Sequence, residues 1–283
     1  MEKYDSEYNQ CPICQSNNIA QYHEDFRGNK IFRCADCQVQ FMNPVYSDEY
    51  LEQYYAEYYT GGVSPEKIDA AHRRTNLIVY RAIEKYLKRP GRVLDFGCGD
   101  GNFIQMAQEK GWQAIGYDVD CDAMQHVAER YGVEIGCGHL HDIDWPKEQF
   151  DLIYAHHVVE HLKTPVKDLK KLNSWLKMGG YFYVGVPNIY ATSARVKFFL
   201  EKLGLRRKNI GKYYDSGHHV FYYSHTSIRN LMEKCGFEVL MVMNGNKSHI
   251  SDSRIVQFFS YYLMNYVYRN SGFFIIARKV KDV

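Results

Sequence analysis

Between residues 92 and 186 short apolar runs recur at 92–95, 113–118, 133–136, 150–155 and 181–186, and amphipathic stretches separate several of them. Each run is too short for a buried helix and reads as a strand, while the spacers carry apolar residues three or four apart and read as helices. Ahead of the first run, Ile68, Ala71, Ile78, Ala82, Ile83, Tyr86 and Leu87 fall on one face and predict a helix from Pro65 to about Lys88. Strand and helix in alternation predict a parallel sheet with helices on both faces, an α/β domain. Ligands of such sheets collect at the carboxyl ends of the strands, where Gly97, Asp118, Asp142 and His156 are expected to meet. Beyond Pro187 the pattern changes to an amphipathic helix over 191–205, a helix over 226–235 closed by Gly236, and strands at 237–243 and 273–278.

The first strand runs into Val93-Leu94-Asp95-Phe96-Gly97-Cys98-Gly99-Asp100-Gly101. Glycines at alternate positions allow positive φ and close approach of backbone to a ligand, and the helix from Asn102 to Lys110 aims its N-terminal amides at the same place. A dinucleotide fingerprint needs a third glycine where this chain has Asn102, and the lysine and hydroxyl residue of a phosphate-binding loop are missing. Two acids stand out instead. Asp95 precedes the turn, and Asp118 closes the next strand, where a carboxylate can accept from both hydroxyls of a ribose. Asp142 lies where the third strand should end.

These segments resemble the class I S-adenosylmethionine (SAM)-dependent methyltransferases, whose first motif reads like VLDFGCGDG and whose second reads like GYDVD. The likeness continues through Phe150–Tyr154, Val158–Leu162, Leu176–Gly180 and Tyr181–Asn188, and covers most of the chain from about residue 66. It implies a Rossmann-like, seven-stranded sheet, mostly parallel with an antiparallel last strand. It also implies that Asp95, Gly97, Cys98, Gly99, Gly101 and His156 surround the methionine part of SAM, that Asp118 and Val119 hold the ribose, and that Asp142 with Ile143 faces the adenine. Insertions near 189–225 and 244–271, the second including the Phe- and Tyr-rich stretch Ile255–Tyr268, are expected to shape the acceptor site.

In front of this domain, Cys11-x-x-Cys14 and Cys34-x-x-Cys37 are nineteen residues apart, a spacing suited to a four-cysteine zinc site. Ile31–Arg33 reads as a strand after a Gly28-Asn29 turn, so residues 1–44 read as a zinc ribbon with four thiolates filling the ion's coordination sphere, a structural zinc. A segment of this size buries little core, and metal binding would supply folding energy. Residues 45–65 form a tyrosine-rich linker in which Tyr50, Tyr54 and Tyr58 share one helical face, as packing between the two parts or as an aromatic lid.

Net charge is +2 over 283 residues, which advertises neither nucleic acid nor an anionic membrane. No apolar run approaches a membrane span and the first ten residues lack an apolar signal core, so a cytoplasmic location is expected, with the eight cysteines as thiols and metal ligands.

A sulfonium methyl is already activated, so the chemistry left to the protein is alignment of the acceptor and, for a hydroxyl, removal of its proton. His156, His157, Glu160 and His161 follow the fourth strand. Zinc-ribbon sugar C-methyltransferases, which the chain resembles in its ribbon and Glu-His pair, implicate Glu160 and His161 in catalysis, though those enzymes are usually longer. A structural role for His161, as a cap or a partner of a buried carboxylate, stands beside that. In quinone-type O-methyltransferases a neighbouring acid helps to hold a divalent metal; His157 replaces it here, and that metal is not expected. His218 and His219 are the second candidates for a base, and Arg206, Arg207, Lys208 and Lys212 are either a solvated face or a diphosphate grip. The expected acceptor is a small molecule, an activated or nucleotide-linked sugar methylated on oxygen in preference to carbon. Alternatives are an rRNA or tRNA base, which the charge disfavours, and a quinone-type phenol.

Overall fold

The computed structural model describes residues 3–60, 77, 79–87, 89–245 and 271–283. Eleven strands among these residues form two sheets. The larger has seven: β4 (Arg92–Phe96), β5 (Gln113–Asp118), β6 (Glu134–Cys137), β7 (Phe150–His156), β8 (Leu176–Pro187), β10 (Phe237–Gly245) and β11 (Gly272–Lys279). Their order is β10-β11-β8-β7-β4-β5-β6, with β11 antiparallel to both neighbours and β4 through β8 parallel. The predicted strands match to within a few residues. The exception is β8, which starts at Leu176 opposite Phe150 and then shifts register through Gly179, at φ +77°, before Tyr181 pairs with Leu152.

The strands read as near-continuous apolar runs because both faces are covered. Leu94, Ile153, Phe182 and Val184 point into one core, which is completed by Leu169 and Leu172 of α4 (Pro165–Trp175) and by Ile228 and Leu231 of α6 (His225–Lys234). Val93, Leu152 and Tyr183 point into the other, against Phe103 and Ile104 of α2 (Asn102–Glu109), Met124 of α3 (Cys121–Tyr131), and Val79 and Ile83. Of the helix expected over 65–88, only residues 77, 79–87 are described, helical at 79–83; the stretch 255–268 lies outside the described residues. The amphipathic segment after Pro187 forms α5 (Thr192–Lys202).

The N-terminal sheet is β1 (Ile19–Glu24), β2 (Lys30–Cys34) and β3 (Gln40–Met42), with β9 (Phe221–Tyr222) as its fourth strand. β9 follows the 218–219 loop, late in the chain, and pairs Tyr222 with Gln40 and Phe221 with Phe41. Ile13, Ile31, Phe41, Phe221 and Tyr223 share a core with the large sheet, so the ribbon is welded to it. Polar groups complete the joint: buried Asn29 donates to the Ser216 hydroxyl at 3.0 Å, the Tyr46 hydroxyl donates to the Ser216 carbonyl at 2.7 Å, and Ser216 also bonds Asp25. Asn43-Pro44, read as a boundary, is a cis peptide leading to α1 (Asp48–Thr60).

One expectation about the cysteines needs correction. Cys121 and Cys137 form a disulfide, whereas every cysteine was expected as a thiol or a metal ligand. The parallel register that sets Asp118 opposite Cys137, followed by the Asp120 cap that turns the chain into α3, brings the two Cα atoms to 5.0 Å, within disulfide reach. Sequence spacing alone does not reveal that register.

Candidate active site

The turn after β4 has the geometry its glycines require. Gly97, Gly99 and Gly101 have φ of +75°, +49° and +76°. A Cβ on Gly97 would stand 2.3 Å from Val158 Cγ2, and one on Gly101 would stand 2.6 Å from the Tyr131 ring, so packing as well as φ excludes side chains there. Nothing lies within 4 Å of a Cβ built on Gly99, which therefore faces open space. Asp118 accepts from the Gly99 N–H at 3.0 Å and the Val119 N–H at 2.8 Å, tying the turn to the end of β5. Burial raises the Asp118 carboxyl above its ordinary range, against the lowering pull of those backbone donors. Asp95, 3% exposed, is pushed well above that range by burial and then by the charges of Asp118 and Asp100.

Other expected cofactor residues line the same edge of the sheet. His156 ends β7, its Nδ1 3.1 Å from the Tyr183 hydroxyl. Cys98 is buried with its thiol on Met124. Val119 is exposed, Asp142 is exposed at the end of a 3-10 turn (Leu140–Asp142), and Ile143 packs partly against the core.

Two of the candidate catalytic residues, Glu160 and His161, sit on a second 3-10 turn, Val159–His161, after β7. Val158, the side chain against Gly97, starts this turn and sets its distance from the glycine loop. His157, at φ +58°, places Nδ1 3.0 Å from Glu160 Oε1. Glu160 is 1% exposed. Burial would raise its carboxyl, but the His157 hydrogen bond and the nearby His161, His157 and His219 outweigh that and take it down to about 2. Opposite stands the 218–219 loop, fixed by a 2.9 Å bond from the Val220 N–H to the Glu160 carbonyl. Three imidazoles meet here: the His161 ring lies 5.0 Å from that of His218 and 4.8 Å from that of His219. Burial lowers His161 and His218 to about 4, so both are neutral near pH 7.

Tyr54 of α1 bonds His218 Nδ1 through its hydroxyl at 3.0 Å and stacks on the ring at 5.1 Å. Tyr50 of the tyrosine face stacks on Tyr46 in the joint, as packing requires, while Tyr54 of the same face reaches the histidines. Tyr58 lies outside the described side chains. Tyr54's contact has no local signal in the sequence beyond that shared face.

A cavity of about 210 Å³ adjoins the cluster, walled by His219, Tyr213, Tyr214, Tyr222, Asn188 and Lys197. A larger cleft of about 760 Å³ lies away from this chemistry, between the ribbon and Lys163, Lys167 and Lys170. The basic run does not line the smaller cavity. Arg206 bonds the Lys208 and Asn209 carbonyls and pairs with Glu201 at 3.4 Å, and Arg207 bonds the Gly204 carbonyl, so both guanidiniums close the end of α5.

In the ribbon Cys11, Cys14, Cys34 and Cys37 converge with all four Sγ atoms within 4.8 Å of one another. The Cys11–Cys37 and Cys14–Cys34 separations are 3.6 and 3.5 Å, close to the roughly 3.8 Å that a tetrahedral ion with metal–sulfur bonds of about 2.3 Å requires. The donor set fits a closed, structural metal site.

Residues 68–242 match a family model described as a methyltransferase domain, over more than half of the chain. The chain belongs to the class I SAM-dependent methyltransferase family. It is 30% identical over 117 residues to a probable S-adenosylmethionine-dependent methyltransferase of Mycolicibacterium smegmatis, a match covering 41% of this chain and 45% of that protein. It is 33% identical over 102 residues to a ubiquinone biosynthesis O-methyltransferase of Bradyrhizobium diazoefficiens, covering 34% and 40%. The chain thus spans about half the length, or less, of these relatives. A solved 1,6-didemethyltoxoflavin-N1-methyltransferase of Burkholderia thailandensis shares the fold at a TM-score of 0.59 and 16% identity, covering 92% of this chain and all of that one. Among the described residues no helix is long and apolar enough to cross a membrane.

Proposed function

We propose that the protein transfers the methyl group of SAM to a hydroxyl of a small molecule. The supporting observation is that the open face at Gly99 lies beside a carboxylate, Asp118, whose hydrogen bond to that glycine aligns it with the turn. In this proposal Asp95, Gly97, Cys98, Gly101 and His156 surround the methionine and sulfonium, Asp118 and Val119 take the ribose, and Asp142 and Ile143 flank the adenine. Zinc fills the four-cysteine site and holds the ribbon in place.

Glu160 orients the histidines, and His161 or His219 meets the acceptor from the cavity beside them. A neutral imidazole can receive the hydroxyl proton as the oxygen–methyl bond forms and the methyl–sulfur bond breaks. An activated sugar is the acceptor class suggested by the ribbon and the Glu-His pair; a phenol stands beside it because one relative is a ubiquinone biosynthesis O-methyltransferase. The test is His161→Ala, expected to leave S-adenosylhomocysteine binding within about threefold and to lower turnover by roughly 100-fold or more. Unaltered turnover removes His161 from the mechanism. The acceptor is sought by mass analysis of products from a panel of nucleotide sugars, phenols and cell extracts.

A pH dependence follows from Asp118. Binding of a ribose diol uses the ionised carboxylate, and a raised pKa means that protonation begins above the ordinary aspartate range. Affinity for S-adenosylhomocysteine is therefore expected to fall on acidification earlier than an ordinary aspartate would dictate. Calorimetric titrations between neutral pH and pH about 4.5, within the range where the fold persists by circular dichroism, check it. Affinity that stays constant down to pH about 4.5 contradicts it.

A further inference from the structure

Besides the four cysteines, the described residues bring another set of metal-ligating groups together: His161, His218 and His219, with ring nitrogens within 4.8 Å of one another. We propose that these three imidazoles form a second metal site, which takes one divalent transition-metal ion of the zinc and cobalt class.

Donor chemistry sets the class of ion. A donor set of three imidazoles suits zinc, cobalt, iron or nickel and disfavours magnesium and calcium, which take oxygen ligands. A tetrahedral ion about 2.1 Å from each nitrogen needs them about 3.4 Å apart, so ring rotations of roughly an ångström close the set. The backbone is already in place, because the Val220 N–H to Glu160 carbonyl bond locks the 218–219 loop against the turn that carries His161.

Two further contacts resemble those that orient metal-binding histidines. His161 Nδ1 lies 3.3 Å from the His218 carbonyl, a bond that places the proton on Nδ1 and directs the Nε2 lone pair elsewhere. His218 Nδ1 is held by the Tyr54 hydroxyl at 3.0 Å. An independent observation comes from Glu160. Its carboxylate is buried among these rings, and Oε2 has no hydrogen-bond partner among the described residues. Its Oε1 goes to His157, which is half exposed. Among the described residues the charge partners of this buried anion are imidazoles, His157 pairing with it when protonated, and a divalent ion in the triad supplies a fixed countercharge.

Three protein ligands leave a coordination position open, and His219 also walls the 210 Å³ cavity. There the ion would bind an acceptor oxygen as the oxyanion, with its proton released to water, before the oxygen takes the methyl group and S-adenosylhomocysteine departs. In that case His161 holds the ion and is not itself the base. This role rests on the methyl-transfer proposal; the ion site does not.

The test uses the full chain equilibrated with Zn²⁺ and, separately, Co²⁺. Metal analysis is expected to find two equivalents per chain, falling to one in a His218→Ala/His219→Ala variant that keeps the cysteine site. The Co²⁺ protein should show thiolate charge-transfer bands plus a weaker nitrogen-ligand spectrum, and only the latter should vanish in the variant. One equivalent in the unaltered chain, or a cobalt spectrum that the variant leaves unchanged, overturns the proposal. The first of these needs no variant and so decides even if the variant misfolds. Titration with S-adenosylhomocysteine separates the two ideas. One equivalent with tight binding removes the histidine site alone, and two equivalents with no binding remove the methyltransferase assignment alone.

Discussion

Asp118→Ala is expected to weaken S-adenosylhomocysteine binding by about 100-fold or more in calorimetric titration. A carboxylate that accepts from both ribose hydroxyls makes two charge-assisted bonds, each of about 1.5–3 kcal/mol, and about 3 kcal/mol is already more than 100-fold. The substitution also strips acceptors from the Gly99 and Val119 N–H groups, so the loop loses its tie to β5. Asp118→Asn keeps one acceptor oxygen and should lose only about tenfold. The asparagine oxygen can still accept from the Gly99 N–H and keep that tie of the turn, while its amide cannot also accept from the Val119 N–H, so the variant retains part of both the loop and the ribose contacts. Affinity of the alanine variant within about threefold of the unaltered chain would remove Asp118 from the cofactor site.

Removal of the metal proposed for the ribbon is expected to have the second large effect. Cys34→Ser, or exhaustive chelation, should lower the thermal midpoint by about 10 °C or more and open the Cys11–Cys37 segment to protease. The size of the effect follows from how the ribbon is joined to the rest. Ile13, Ile31 and Phe41 lie in one core with Phe221 and Tyr223, and β3 carries β9 as its neighbour. Loss of the ion therefore loosens the strand that immediately follows His218 and His219. Acceptor turnover should fall more than S-adenosylhomocysteine affinity, because β4 and β5, which carry the glycine turn and Asp118, pair only with strands of the large sheet, whereas β9 belongs to the ribbon sheet. A metal-free chain with an unchanged midpoint, measured by calorimetry beside metal analysis, contradicts this account.

The parts of the fold that were legible in the sequence are those whose cause is local. Alternating apolar runs and spacers mark β4 to β8 because each strand is buried on both faces, and the glycine turn is readable because positive φ and the crowding by Val158 and Tyr131 admit no side chain. The four cysteines are likewise readable, since two knuckles at a suitable spacing need no distant partner. What escaped depends on long-range register. β9 is two residues long, and nothing within Phe221-Tyr222 announces that it pairs with β3. The Cys121–Cys137 bond depends on how β5 and β6 align. The histidines were recognised one by one as candidates. Their meeting depends on the Val220–Glu160 backbone bond and on Tyr54 arriving from α1, contacts that span 60 to 164 residues. The basic run, a candidate diphosphate grip by composition, closes the end of α5 through Arg206 and Arg207.

The central claim is that SAM lies in the turn between β4 and α2 with its ribose on Asp118. A crystal structure of the full chain with S-adenosylhomocysteine tests it most directly. The account predicts the ribose hydroxyls within hydrogen-bonding distance of both Asp118 oxygens, and the sulfur facing the Val159–His161 turn. A ligand seated elsewhere, or a ribose that does not touch Asp118, would contradict it.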